Sequence, residues 1–365
     1  IYYDLDFILK HKQAYKNLPS QTSQQILKVV NRNWKAYFKA LKEYKRDFKK
    51  FKKKPKIPGY KKKNGESIVI FTNQQCKIKK GYLYFPKRIN LGPVKTRIIE
   101  RLKEVRIIPL GVKYKIEIVY EKEERDLRLD KNHILSIDLG LNNLITAVNN
   151  NGCNPFIVKG GMIKSINQYY NKQLAYYRSI ENKKGNFTDT KQMKKLHLIR
   201  NNKLTTIFHR ISKNVIEYCI QNNIGTIIIG YNFNWKQKIN IGKRNNQKFV
   251  QIPFLKLVKQ IEYKASLVGI QVKTIDESYT SKCSFFDNEL IEKHDKYLGK
   301  RISRGLFKTS KGVIINADIN GAYNIMKKGF PNAISVDEIE AFGLRPQILQ
   351  QNIVDNSFCN KMSTV

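Results

Sequence analysis

Between Ser20 and Phe51 apolar side chains recur every three or four positions, at Ile26, Val30, Trp34, Tyr37, Leu41, Tyr44, Phe48 and Phe51. That spacing predicts one long helix over 20–52 with a single apolar stripe, stopped by Pro55 and Pro58. From 67 to 121 the period shortens to two, in segments such as "SIVIFTN", "GYLYFPK", "KTRII", "EVRIIPL" and "YKIEIVYE", separated by Gly, Pro and Lys-Lys turns. These predict hairpin strands of a small β-barrel or sheet. Residues 121–133 are charged and apolar-poor, as a linker would be. Beyond them, "ILSIDLGLNNLITAVNNNG" predicts strand, turn and strand, then come two helical stretches across 164–222 and a strand at 226–230. Pro253 opens an amphipathic helix closed by Gly269, followed by a strand at 270–279 and a short helix at 316–329. Strands interspersed with helices imply a mixed α/β domain. The polar tail after Gly329 is expected to fray.

Composition narrows the partners. A chain of 365 residues implies two or three units. Lys+Arg 69 against Asp+Glu 29 gives a net charge of +40, so the protein repels itself unless a polyanion neutralises it. Nucleic acid is the expected partner, with an anionic membrane surface as the alternative. No apolar run reaches the roughly 18 residues of a membrane span. The chain starts at Ile1 with neither a signal peptide nor an initiator Met, so residues upstream are expected to be missing. Five cysteines, odd in number and far apart, suit reduced thiols, and with no C-x-x-C pair no zinc is expected. The exit of the long helix, "KKFKKKPKIPGYKKK", reads as phosphate contact with aromatic stacking rather than a merely solvated face. His197 and His209 lie in helical stretches and read as packing or exposed residues.

Three carboxylates stand at the ends of apolar elements. Asp138 follows "ILSI", Glu277 follows "VKTID" with Asp276 beside it, and Asp318 starts the last helix. Strand ends converging on one sheet edge bring distant acids together, and their repulsion is relieved when cations bind between them. Hard oxygen ligands favour Mg²⁺ or Mn²⁺, which activate water against a phosphodiester. Each acid also has a plain structural role open to it: Asp138 as a turn residue before Gly140, Glu277 as a strand-end residue facing solvent, and Asp318 as a helix N-cap.

The segments "SIDLGLNNLITAV", "ESYTSKCSF", "GKRISRGLFKTSKGVIINADINGAYNI" and "LPSQTSQQILKVVNRNWKAYFKALK" resemble the transposon-encoded TnpB proteins, the OrfB type related to type V CRISPR effectors. The resemblance covers nearly the whole chain. It implies a multidomain α+β protein, with a helical recognition segment (1–65) that keeps a remnant of a wedge strand at its N-terminus, a β-barrel wedge domain (66–125) and a linker (126–132). A RuvC-type, RNase-H-like nuclease domain (133–282 and 313–330) would follow, interrupted by a basic insertion (283–312) and ended by a tail (331–365). It implies Mg²⁺-dependent cleavage of double-stranded target DNA paired to a guide RNA from the transposon end, in the cytoplasm and nucleoid of a bacterium. Asp138 matches the first motif and Asp318 the third. Where the family's second motif ends in Glu, this chain has Gly230, and Glu277, just before "SYTSK", is the expected replacement. The family's two C-x-x-C pairs after "TSK" are reduced to Cys283. Nucleic-acid contacts are expected from Lys52, Lys53, Lys54, Lys61 and Lys62, and from Lys236, Lys282, Arg301, Arg304 and Lys308. Two rival readings are a nuclease-inactive RNA-guided repressor and an unguided RNase H or junction-resolving nuclease.

Overall fold

A computed structural model describes residues 2–61, 65–232, 250–303, 305–337, 339 and 346–349. The chain divides into two compact units, Ile1–Glu123 and Glu124–Val365.

The first unit opens with helices α1 (Tyr2–Leu9), α2 (Gln13–Lys16) and α3 (Ser20–Arg46). The last of these stops at Arg46 rather than reaching 52. Asp47 leaves the helical region (φ −149°), and its carboxylate accepts the Lys49 N–H at 3.1 Å, opening a 3₁₀ turn over Phe48–Lys50. The predicted stripe is only partly used, since α3 buries Thr22, Ser23 and Leu27 while Ile26, Val30 and Phe38 stay exposed. Six strands follow, β1 (Val69–Thr72), β2 (Lys77–Lys79), β3 (Tyr82–Tyr84), β4 (Val94–Lys95), β5 (Arg101–Pro109) and β6 (Tyr114–Glu121). They form two three-stranded antiparallel sheets, β1-β5-β6 and β2-β3-β4, which share a small core of Phe71, Cys76, Leu83 and Val105. The expected barrel is thus resolved into two short sheets, and only Lys95 of "KTRII" is in a strand.

The second unit is built on one sheet. Its strands are β7 (Asp130–Asp138), β8 (Asn143–Asn149), β9 (Phe156–Lys159), then, after helices α4 (Gly161–Lys183) and α5 (Lys191–Gln221), β10 (Ile224–Gly230). Helix α6 (Phe254–Ser266) leads to β11 (Gln271–Ile275), and a small antiparallel sheet of β12 (Lys300–Ser303), β13 (Leu306–Lys308) and β14 (Ile314–Asn316) precedes α7 (Ala317–Gly329). A last strand, β15 (Gln347–Leu349), joins the edge. The large sheet runs β11-β10-β7-β8-β9-β15, antiparallel from β7 to β9 and parallel from β7 through β10 to β11. The segment expected to be a linker is fixed to this unit: Arg125 and Leu127 donate backbone N–H groups to Leu267 and Val268 carbonyls, and Asp130 opens β7. Part of the tail is also ordered, because Ile334, Val336 and Ile339 pack on the α7 side and β15 pairs in parallel with β9.

Side-chain parity sorts this sheet into two faces. Leu135, Ile137, Ile227 and Ile229 pack with Ile207, Phe208 and Ile211 of α5 and with Phe254 and Leu257 of α6. Ile134, Val148 and Ile228 face the other way, against Ile319, Tyr323 and Met326 of α7. Because successive strand residues alternate, Ser136 and Asp138 share the α7 face with Ile134, and the Ser136 hydroxyl donates to the Ala322 carbonyl at 2.7 Å. No helix among the described residues is long and apolar enough to cross a membrane.

Candidate active site

Asp138 ends β7 on the α7 face. Register puts its neighbour Ile137 opposite Ile229, so Asp138 lies level with Gly230 at the end of β10. Gly230 is in turn paired with Ile275 of β11, and Glu277 stands two residues further along. Three strands therefore finish together, and the parity of Ile228 and Gly230, and of Ile275 and Glu277, aims the last position of each toward α7.

The missing side chain at 230 has a use. A Cβ there would lie 2.5 Å from Ile325 Cδ1 and 3.2 Å from Glu277 Oε2, so the space beside Gly230 is filled by the Glu277 carboxylate and an α7 side chain. The backbone N–H of Glu277 donates to Asn232 Oδ1 at 2.9 Å, tying it to the turn after β10. Its carbonyl accepts from Thr280, from both N–H (3.2 Å) and hydroxyl (2.8 Å). Thr280 is held from α7, where Asn324 Nδ2 donates to its carbonyl at 2.9 Å and to that of Cys283 at 2.7 Å. Asn320 adds two more bonds, to the Cys283 carbonyl and from the Phe285 N–H. Asn320 and Asn324 are completely buried, so α7 is fastened to the segment that presents Glu277.

Asp318 lies in the first turn of α7, but it is not the cap. Asn316 takes that role and accepts the N–H groups of Asp318 (2.9 Å) and Ile319 (3.2 Å), which releases the Asp318 carboxylate for other partners. Asn143 Nδ2 donates to its Oδ2 at 2.7 Å, and the exposed Arg301 approaches Oδ1 at 3.4 Å. Gly321, one turn on, brings the helix within reach of Asp138, whose Oδ2 would be 3.3 Å from an added Cβ. Asp276 is occupied elsewhere, accepting the Ser278 N–H at 2.8 Å and pairing with Lys328 at 3.5 Å.

Electrostatics couple the acids through Asp138. Burial, then the charge of Asp318, push the Asp138 carboxyl up to about 7 against the opposing pull of Arg301. Burial, then Asp138, raise Glu277 to about 8. In both, burial is the larger cause and a neighbouring carboxylate the second. Among the described residues no three acidic, His or Cys side chains stand close enough to enclose an ion as they are; Asp318 is drawn to Asn143 and Arg301. The donor set still suits a hard divalent cation, since it consists of carboxylate oxygens.

The basic residues fall into three groups. Lys52, Lys53 and Lys54 are exposed, and Lys61 donates to the Ser67 hydroxyl at 2.6 Å. Just before the insertion, Lys282 lies over the Tyr297 ring (5.7 Å), and within it Lys308 is exposed on β13, whereas Arg301 meets an acid of the cluster. Lys62, Lys236 and Arg304 lie outside the described residues. Around Cys283 protein groups close the turns: Glu289 accepts the N–H groups of Ser284 (2.6 Å) and Leu298 (2.8 Å), and Asp287 accepts that of Ser310 (2.9 Å). The Cys283 thiol donates to the Glu292 carbonyl at 3.6 Å.

Sequence reasoning missed Asn143, Lys159, Asn232 and the asparagines of α7. A signal for the last existed, because Asn316, Asn320 and Asn324 recur every four residues along one helical face.

Residues 117–236 match the OrfB_IS605 family, described as "Probable transposase", and residues 254–325 match the Cas12f1-like TNB domain. A TnpB-like protein, ORF457 of Acidianus two-tailed virus, is 26% identical over 68% of this chain and 51% of its own length. The CRISPR-associated endodeoxyribonuclease Cas12f1 of Sulfoacidibacillus thermotolerans is 29% identical over 64% of this chain and 53% of its own. This chain thus spans about half the length of the curated relatives it matches. A Cas12f1 chain solved by cryo-EM in a complex with sgRNA and target DNA shares the fold at a TM-score of 0.51 and 16% identity, covering 84% of this chain and 70% of that one. These matches make the chain similar, over successive segments, to OrfB-type transposases, TnpB-like proteins and Cas12f nucleases.

Proposed function

We propose that this chain is an RNA-guided, Mg²⁺-dependent DNA endonuclease of a transposable element, with a RuvC-type, RNase-H-like nuclease in its second unit. One observation carries the reading: strand ends and a helix start from three distant segments bring Asp138 beside both Glu277 and Asp318, and its proton affinity responds to that gathering. The sheet order, three antiparallel strands followed by two parallel ones, supports it. So does a net charge of +40, which suits a protein that holds RNA and a heteroduplex through their backbones while base pairing supplies specificity.

Asp138, Glu277 and Asp318 would hold Mg²⁺, or Mn²⁺ in its place, through carboxylate oxygens. The cation supplies an activated water and positive charge for the leaving oxygen of the phosphodiester. Glu277 takes the place of the glutamate that Gly230 lacks. Arg301, exposed and next to Asp318, is placed to meet a phosphate oxygen of the strand entering the site. The lysines of 52–61 contact guide RNA or target DNA without reading sequence.

The test uses protein loaded with guide RNA from its own transposon end and a plasmid carrying the matching target. Glu277→Ala should lower Mg²⁺-dependent cleavage at least about a hundredfold, the scale of losing one group that stabilises the transition state, while guide-RNA binding is retained. Cleavage that survives EDTA, or that Glu277→Ala leaves unchanged, would overturn the reading.

A further inference from the structure

Asn143 opens β8 and Lys159 ends β9, and the two are direct partners across the antiparallel ladder. Lys159 Nζ donates to Asn143 Oδ1 at 3.1 Å. An ammonium has donors only, so the amide must turn its oxygen to Lys159 and its NH₂ the other way. In that other direction lies Asp318, with Asn143 Nδ2 2.7 Å from Oδ2. Arg301 meets the remaining oxygen, Oδ1, at 3.4 Å.

The two donors act differently on Asp318. Arg301 brings a full positive charge on an exposed, movable arm, and it competes with any cation for the same carboxylate. Asn143 is neutral, half-buried and anchored in the sheet. It can fix the carboxylate's orientation without cancelling its charge, leaving Oδ1 for a metal once Arg301 withdraws.

We propose that Asn143 is a positioning residue for Asp318 as a metal ligand and that Lys159 acts through it by locking the amide orientation. The inference rests on the nuclease reading above. Partners that orient a ligand from behind are typically worth about 10–100-fold in metal affinity. A rival account treats Lys159 as one more positive charge near the acids. Removing a repelling charge would then tighten cation binding. The relay requires the opposite sign, because without Lys159 the amide is free to flip and present its oxygen to Asp318.

The experiment measures Mn²⁺ affinity of the whole protein by electron paramagnetic resonance, with thermal unfolding recorded alongside. Variants are Asn143→Ala, Lys159→Met, their double, and Asp318→Asn. Asn143→Ala should weaken Mn²⁺ about tenfold or more. Lys159→Met should weaken it several-fold, and the double should bind no more weakly than Asn143→Ala alone, since both act along one path. Lys159→Met that tightens or leaves Mn²⁺ affinity unchanged, or that adds fully to Asn143→Ala, overturns the inference. If Asn143→Ala fails to fold, the sign for Lys159→Met decides, because that side chain is exposed. Failure of Asp318→Asn to alter Mn²⁺ binding would instead refute the nuclease reading on which the relay stands.

Discussion

At residue 230 the absence of a side chain makes room for the carboxylate of Glu277. Gly230→Ala should therefore cost about 1–3 kcal/mol, the range for overpacking a filled core, measurable by denaturant unfolding. It should also reduce cleavage by more than the lost stability explains, because the Glu277 carboxylate must move. The raised proton affinities of Asp138 and Glu277 make a second prediction, whose sign follows from linkage. Folded Asp138 and Glu277 keep protons up to about 7 and about 8, whereas in the unfolded chain they lose them near 4. The native state thus binds more protons across that interval, and in divalent-free buffer stability should fall as pH rises from about 4 through about 8. Mg²⁺ replaces those protons, so it should raise the unfolding midpoint by several degrees at pH 9 and scarcely at pH 5, as scanning calorimetry would show. An equal effect at both pH values would argue against ionised carboxylates as its binding site.

For helix α7 the decisive feature is a polar spine inside an apolar element. Asn320 and Asn324 sit among Ile319, Tyr323 and Met326 yet spend their amides on the backbone of residues 280–285. Asn324→Leu strands the Thr280 carbonyl, while Asn320 still donates to that of Cys283, and about 1–3 kcal/mol should be lost for the stranded group. Because Thr280 also carries the Glu277 carbonyl, the same variant should lower cleavage while Mn²⁺ binding weakens with it. Asn316→Ala, which removes the cap, should cost about 1 kcal/mol and loosen the first turn that holds Asp318.

Over the whole molecule, a charge of +40 makes affinity for nucleic acid a function of salt. The logarithm of the binding constant should fall linearly with the logarithm of salt concentration. Replacing Lys52, Lys53 and Lys54 together with Ala should reduce the slope by roughly 0.7–0.9 for each phosphate contact removed. Filter binding over a salt series would measure it, and an unchanged slope would mean that these exposed lysines do not touch the backbone. That substitution should leave the unfolding midpoint nearly unaltered, since none of the three is buried.

Sequence by itself determined the kind of the longer elements around the site and the face on which their side chains fall. Alternation along "ILSID" separates Ser136 and Asp138 from Leu135 and Ile137, and three- and four-residue spacing marks α6 and α7, because both signals live within a few residues. The family motifs pointed to Asp138 and Asp318, and the strand beside "SYTSK" to Glu277. What the pattern could not contain was register. That Gly230 pairs with Ile275 and stands level with Asp138 depends on hydrogen bonds between strands nearly a hundred residues apart in places, and a one-residue slip would send every side chain to the other face. Only the tertiary structure joined Lys159 to Asn143 and Asn143 to Asp318, released Asp318 from capping by giving that task to Asn316, and set Arg301 beside Asp318. Long-range pairing decides such contacts, and it is fixed by packing of the whole sheet against α5 on one face and α7 on the other.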